Sequence, residues 1–161
     1  MKIGVRSLII LTLCVVLSVV IFHLTAVMLE GEQGRLKRTI HKAKRLAERE
    51  NVIGLTNYIS IDYSDDLGND RRTLLFIAKR LFDEYKNILI LIDSLETEIA
   101  GKDARALLEA TVYWQDNDSG AITYDRIKCI ALFTKTDKRW LLVELKFSEP
   151  EERRIFNPNV G

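Results

Sequence analysis

Histidine and cysteine are scarce in this chain, with two of each among 161 residues, and the scarcity removes several chemistries at once. His23 lies inside a long apolar run and His41 on the first basic helix close behind it, so a histidine-dependent mechanism has almost no foothold. Cys14 belongs to the same apolar run and Cys129 to a predicted strand. No intramolecular disulfide is expected, and cysteine usage does not settle the compartment. Charge of one sign is missing as well: 24 basic residues face 23 acidic ones, a net charge of +1. That balance shows no electrostatic footprint of nucleic-acid binding. Internal repeats and low-complexity tracts are absent too.

What is present begins with "LIILTLCVVLSVVIFHLTAVML" at residues 8–29, which carries no charge. As a helix it spans roughly 33 Å, the hydrocarbon thickness of a bilayer. A cleaved signal peptide fits less well, because the apolar stretch is too long and no A-x-A-like site follows it. The run is therefore expected to be an uncleaved transmembrane helix, behind a short tail at residues 1–7. Lys2 and Arg6 argue for a cytoplasmic N-terminus, whereas Arg35, Lys37, Arg38, Lys42, Lys44 and Arg45 argue the reverse. The first orientation is preferred, since Glu30 and Glu32 lie nearest the exit. It makes the chain a single-pass inner-membrane protein of a bacterium with a periplasmic domain; the alternative is a cytoplasmic one. His23 is expected to be a neutral imidazole bonding toward the interface.

After a linker at 30–34, Leu36, Ile40, Ala43 and Ala47 recur at helical spacing, with Arg35, Arg38, Lys42, Arg45 and Arg49 on another face. The basic stripe is either a solvated face or a surface for anionic headgroups. The helix is expected to bend near 51–54 and to continue through Leu55, Tyr58 and Ile59. A second helix carries Leu74, Ala78, Leu81, Phe82 and Tyr85 on one stripe. From Lys86 the pattern becomes β: "NILILIDSLETEIA", "ARALLEATVYW", "AITYDRIKCIALFT" and "RWLLVELKF" read as four strands in hairpin succession. The expected architecture is an α+β domain over 35–150, two N-terminal helices on a curved four-stranded antiparallel sheet, followed by a tail at 151–161.

Between the helices "IDYSDDLGNDRR" concentrates four aspartates around a glycine. An EF-hand loop needs acids at positions 1, 3 and 5 and glycine at 6; from Asp62 the third position is Ser64 and Gly68 falls at seven. The stretch fails that template and is expected to be a structural loop and helix cap built from Asp65, Gly68, Asn69, Asp70 and Arg71. "DNDSG" at 116–120 is likewise expected to be a polar hairpin turn. Neither metal nor cofactor is expected.

The contiguous Tyr63, Ser64, Asp65, Gly68, Asn69, Asp70 and Arg71, together with the helix, helix, four-strand order and Trp140 opening the last strand, resemble the nuclear transport factor 2-like superfamily, which includes the SnoaL-like polyketide cyclases. The likeness covers roughly residues 35–148. It implies a cone-shaped, cystatin-like domain with a pocket between sheet and helices, often dimeric through the sheet. Relatives include isomerases, dehydratases and binding proteins, so the resemblance does not assign an activity. The tail, anchor and domain layout is also similar to inner-membrane assembly factors of type IV secretion systems.

Candidates for a pocket are Tyr58, Tyr63, Asp93, Glu109, Tyr113, Tyr124 and Glu144. A tyrosine with a carboxylate could form an isomerase-like pair, yet no spacing selects one. The expected role is a membrane-anchored binding or scaffold domain without catalysis, with the scaffold slightly favoured over a pocket for a small apolar molecule; the alternative is a small-molecule-binding or lyase/isomerase-type enzyme that uses the cone pocket. Expected partners are the lipid bilayer through 8–29, a second copy through the sheet, and an envelope protein. Alternation of Ile88, Ile90 and Ile92 with Leu89 and Leu91 makes both faces of the first predicted strand apolar, which motivates the dimer.

Overall fold

The computed structural model describes residues 31–147; residues 1–30 and 148–161 lie outside it, and with them the apolar run 8–29, Cys14, His23 and the tail 151–161. Among the described residues no helix is long and apolar enough to cross a membrane.

Helix α1 (Glu32–Glu48) begins within the 30–34 segment. Its apolar stripe turns inward as the spacing requires: Leu36 is wholly buried and Ile40 packs beside it. The helix stops at Glu50, whose φ of 55° lies in the left-handed region. Asn51 then accepts from the Gly54 amide at 2.8 Å and caps the four-residue α2 (Val52–Leu55). A Cβ at Gly54 would stand 2.6 Å from Leu46 Cδ2, so any larger residue there obliges the Leu46 side chain to shift.

A 3-10 turn (Thr56–Tyr58) leads into β1 (Ile59–Asp65), and this corrects the expectation of a helix running through Ile59. Ile59, Ser60 and Tyr63 are buried while Ile61 is exposed, so burial along β1 does not follow a simple alternation, and the strand's pairing with β5 is irregular between Ile59 and Ser64. Helix α3 (Arg71–Glu84) follows, with Asp70 as its N-cap. Tyr85, read as the end of that helix, instead opens β2 (Tyr85–Ala100); β3 (Asp103–Asp116), β4 (Ile122–Thr136) and β5 (Arg139–Phe147) complete the sheet.

The sheet has five strands, not four, in the order β1-β5-β4-β3-β2. It is mixed, since β1 runs parallel to β5 while every other pair is antiparallel. In β2 the register shifts between Ile92 and Ser94. Ahead of the shift Ile90 and Ile92 face the helices, and beyond it Leu95 and Ile99 do, so one bulge moves the inner positions from even to odd numbers. Leu89 and Leu91 stay on the outer face, 47% and 44% exposed.

The core is Leu36, Ala104, Ala106, Ala131, Phe133 and Trp140, with Leu95, Ile99, Leu142 and Leu145 against it. Ala106 and Ala131 are directly opposed across β3 and β4. Alanines at the centre of the inner face leave volume that larger side chains would fill. The two ends of the cone are tied by polar contacts: Glu32 pairs with Lys135 at 2.8 Å, and the Asn117 side chain donates to the Asp83 carbonyl at 2.9 Å.

Candidate functional site

The space left by those alanines is a cavity of about 330 Å³ between α1, α3 and the sheet. Ile40, Ala43 and Ala47 come from α1, Leu74 and Ala78 from α3, and Ile90, Ile92, Leu108, Phe133 and Leu142 from the strands. Helix α3 contributes no fully buried residue, so it covers the cavity without closing it. The volume is at the lower end of the range of about 300–1,000 Å³ usual for small-molecule sites.

Among the described residues only Lys44 and Tyr58 bring ionisable groups to this wall. Lys44 Nζ is 2.7 Å from Glu48 Oε1, and the same carboxylate oxygen accepts from the Ile90 amide at 3.0 Å. Burial pushes the Glu48 carboxyl up, but Lys44 and the Ile90 amide outweigh it and hold the group below its ordinary value. Lys44 is therefore engaged as a structural cation.

Beside the cavity lies a second hollow of about 290 Å³, lined by Arg35, Arg38, Thr39 and Lys42 of α1, Asn57 and Tyr58, and Lys138, Arg139 and Trp140 of the β4–β5 hairpin. Thr39 and Tyr58 line both spaces. The Trp140 indole is 2% exposed and its N–H, without a hydrogen bond among the described residues, adds a small pull on the Glu32 carboxylate, whose pKa is lowered chiefly by Lys135.

Of the pocket candidates, Tyr58 alone lines the cavity. Tyr63 is buried on β1, its hydroxyl 3.5 Å from Asp65 Oδ2, and burial followed by the charge of Asp65 pushes its pKa well up. Asp93 accepts from Thr111 Oγ1 at 2.7 Å, Glu109 pairs with Lys128, and the Tyr113 and Tyr124 rings are 5.6 Å apart. Strand alternation puts these four on the outer face, because Ile92, Leu108, Ala110 and Ala131 occupy the inner one. Glu144 pairs with Lys146 at 3.2 Å and does not reach the cavity. Apart from Tyr58, the candidate tyrosines and carboxylates for an acid-base pair are thus kept away from the cavity.

Asp65 organises the loop after β1. Its Oδ1 accepts from the amides of Leu67 at 3.0 Å and Asn69 at 2.7 Å, and its Oδ2 from Asn69 Nδ2 at 2.9 Å. Partial burial pushes this carboxyl up, and the Asn69 and Leu67 donors prevail and lower it. Gly68 takes φ 78°. Asp70 Oδ1 accepts from the Thr73 amide at 2.8 Å, and Arg71 donates to the Thr56 carbonyl at 2.8 Å. Asp66 reaches the other way and accepts from the Phe147 amide at 3.0 Å. Asp65, Asp66 and Asp70 are each occupied by backbone amides. Among the described residues no group of three or more His, Cys, Asp or Glu is placed to hold a metal ion.

Two features escaped sequence reasoning. The Lys44–Glu48–Ile90 contact joins residues 42 positions apart, and Lys138 and Arg139 join the α1 stripe only through the fold. The basic stripe was visible in the sequence; the half contributed by the hairpin was not.

No family model matches the chain. No curated protein matches it either. Solved structures do. A protein proposed to be a scytalone dehydratase from Novosphingobium aromaticivorans superposes with a TM-score of 0.71 at 8% identity, covering 78% of this chain and 88% of its own. A nuclear transport factor 2-like superfamily protein from Salmonella enterica gives 0.64 at 11% identity, covering 78% and 94%. A type 2 hexachlorocyclohexane dehydrochlorinase gives 0.63 at 11% identity, covering 80% and 94%. Identities this low speak for the backbone only, and what they show is the fold: three helices on a five-stranded mixed sheet in the nuclear transport factor 2-like, cystatin-like arrangement.

Proposed function

We propose that this domain binds a small apolar ligand in the cone cavity without transforming it, and that residues 8–29 hold it at a bacterial inner membrane with the domain on the periplasmic side. The observation that carries the reading is the composition of the wall. Proton transfer needs an acid or base within hydrogen-bond reach of the reacting atom, and the enclosed surface offers Tyr58 and a lysine already paired with Glu48. Dehydratase and dehydrochlorinase neighbours share the backbone, and backbone does not carry activity.

A neutral alkyl alcohol bearing a photoreactive group, presented to the full chain in phosphatidylcholine bilayers, tests this directly. Labelling is expected on the peptides that carry Ala43, Ala78 and Ala131; labelling confined to residues 8–29 defeats the cavity reading. The lyase or isomerase alternative would have to work through Tyr58. Turnover of an epoxide or ketone that Tyr58→Phe abolishes without unfolding would establish it in place of simple binding.

A further inference from the structure

The chain's nearly even charge hides a local excess. Arg35, Arg38, Lys42, Lys138 and Arg139 all line one hollow, and among the described residues no carboxylate lines it. Arg35 is paired with Glu32 at 3.1 Å on the exposed side. Lys42, Lys138 and Arg139 make no ion pair among the described residues. Like charges converging on a concave surface repel one another and raise a positive potential there, which an anion relieves. The fold assembles this arrangement from two distant parts of the sequence.

The position of the hollow matters as much as its charge. Thr39 and Tyr58 separate it from the apolar cavity and line both. A ligand seated across that boundary would place an uncharged chain among Ile40, Ala43, Leu74 and Phe133, and a charged group beside Lys42 and Arg139. Thr39 and Tyr58 bring a hydroxyl each to the join. A methylene has roughly the bulk of a water molecule, about 30 Å³, so the cavity of about 330 Å³ holds a single chain on the order of ten carbons.

We infer that the two hollows form one site for an anionic amphiphile, a single apolar chain ending in a phosphate or carboxylate, with the headgroup held by Lys42, Lys138 and Arg139 and the chain in the cone. The planar guanidinium fork of arginine can donate to two oxygens of such a headgroup at once, and lysine adds a point charge. This rests on the cavity reading above and adds the headgroup site to it.

Photolabelling of the full chain in neutral phosphatidylcholine bilayers distinguishes the two claims. The probes are a photoreactive alkyl phosphate and the alkyl alcohol of the same length, with inorganic phosphate as competitor. The phosphate probe is expected to half-saturate the cavity peptides at a concentration about tenfold lower than the alcohol, the worth of one charge-assisted hydrogen bond. Lys42→Glu with Arg139→Glu is expected to erase that preference, with the thermal unfolding midpoint confirming that the variant is folded. Equal labelling by both probes overturns the headgroup site and leaves the apolar cavity standing. Labelling by neither overturns both. If inorganic phosphate displaces the alkyl phosphate at matching concentration, the cleft takes a free ion and the joined site is wrong.

Discussion

Glu48, at the end of α1, accepts a hydrogen bond from the Ile90 amide of β2 across 3.0 Å. Strand β2 is an outer strand of the sheet, and its free edge would otherwise present that N–H to solvent or to another chain. The carboxylate thus fastens helix to sheet beside the cavity, with Lys44 neutralising it. Replacing Glu48 by alanine leaves the amide without its acceptor and the lysine without its partner. A loss of roughly 1.5–3 kcal/mol in urea unfolding is expected; a loss within experimental error would show that solvent substitutes for the carboxylate.

The same group sets a pH dependence. Its folded pKa is below the ordinary value of 4.5, so its contribution is complete above that value and is lost as pH falls through the folded pKa. Acid unfolding of the wild type is therefore expected to steepen below about pH 4.5, and Glu48→Gln to flatten the curve in that window. Parallel curves for the two proteins would remove Glu48 as the source.

The aspartate-rich loop is expected to be indifferent to divalent cations. Asp65 loses three donors when replaced by alanine, and after discounting for solvent this should cost roughly 1–2 kcal/mol. Asp70→Ala removes the α3 cap and should lower the melting temperature measurably. Both effects should be the same with calcium or chelator. A calcium-dependent rise in the wild-type melting temperature, lost in Asp62→Ala or Asp66→Ala, would make the loop a metal site.

Filling the cone separates volume from charge. Ala78 stands on the half-exposed α3 wall, where a larger side chain can enter the cavity with little backbone movement. Ala78→Phe is expected to abolish labelling by the photoreactive alcohol while the circular dichroism spectrum is unchanged. Undiminished labelling of the same peptides would place the ligand elsewhere.

Self-association through the sheet is a separate proposal, motivated by Leu89 and Leu91 exposed on the outer face next to the Tyr113–Tyr124 pair. Leu91→Arg is expected to shift the full chain from dimer to monomer in native mass spectrometry. A wild type that is monomeric at high micromolar concentration would end that proposal.

Orientation is decided by a fusion. A reporter active only outside the cytoplasm, joined after Gly161, should be active if Lys2 and Arg6 retain the N-terminus inside. A silent reporter on a stable fusion would place the domain, and its basic cleft, in the cytoplasm.

Much of this protein was legible because its signals are local. Apolar residues at helical spacing assigned the inner face of α1, where Leu36, Ile40, Ala43 and Ala47 all turn toward the sheet. Alternation and polar turns assigned the four long strands, and Asn69 and Asp70 beside a glycine loop marked the start of α3, with the fold selecting Asp70 as the cap. What tertiary structure alone decided concerns pairing over long separations. Seven residues from Ile59 to Asp65 become a strand by pairing in parallel with β5, far along the chain, and no window around them shows that partner. Ahead of the bulge Ile90 and Ile92 alternate with the equally apolar Leu89 and Leu91, so which set meets the helices could not be resolved from the strand's own sequence, and the bulge after Ile92 then reverses the inner positions. The same holds for the site: the α1 stripe announced Arg35, Arg38 and Lys42, but only the closing of the cone carries Lys138 and Arg139 across to them and turns Asp93, Glu109, Tyr113 and Tyr124 away from the cavity. Spacing along a chain reports which side of its own element a residue occupies; which other element lies on that side is settled by the burial of the whole sheet against its helices.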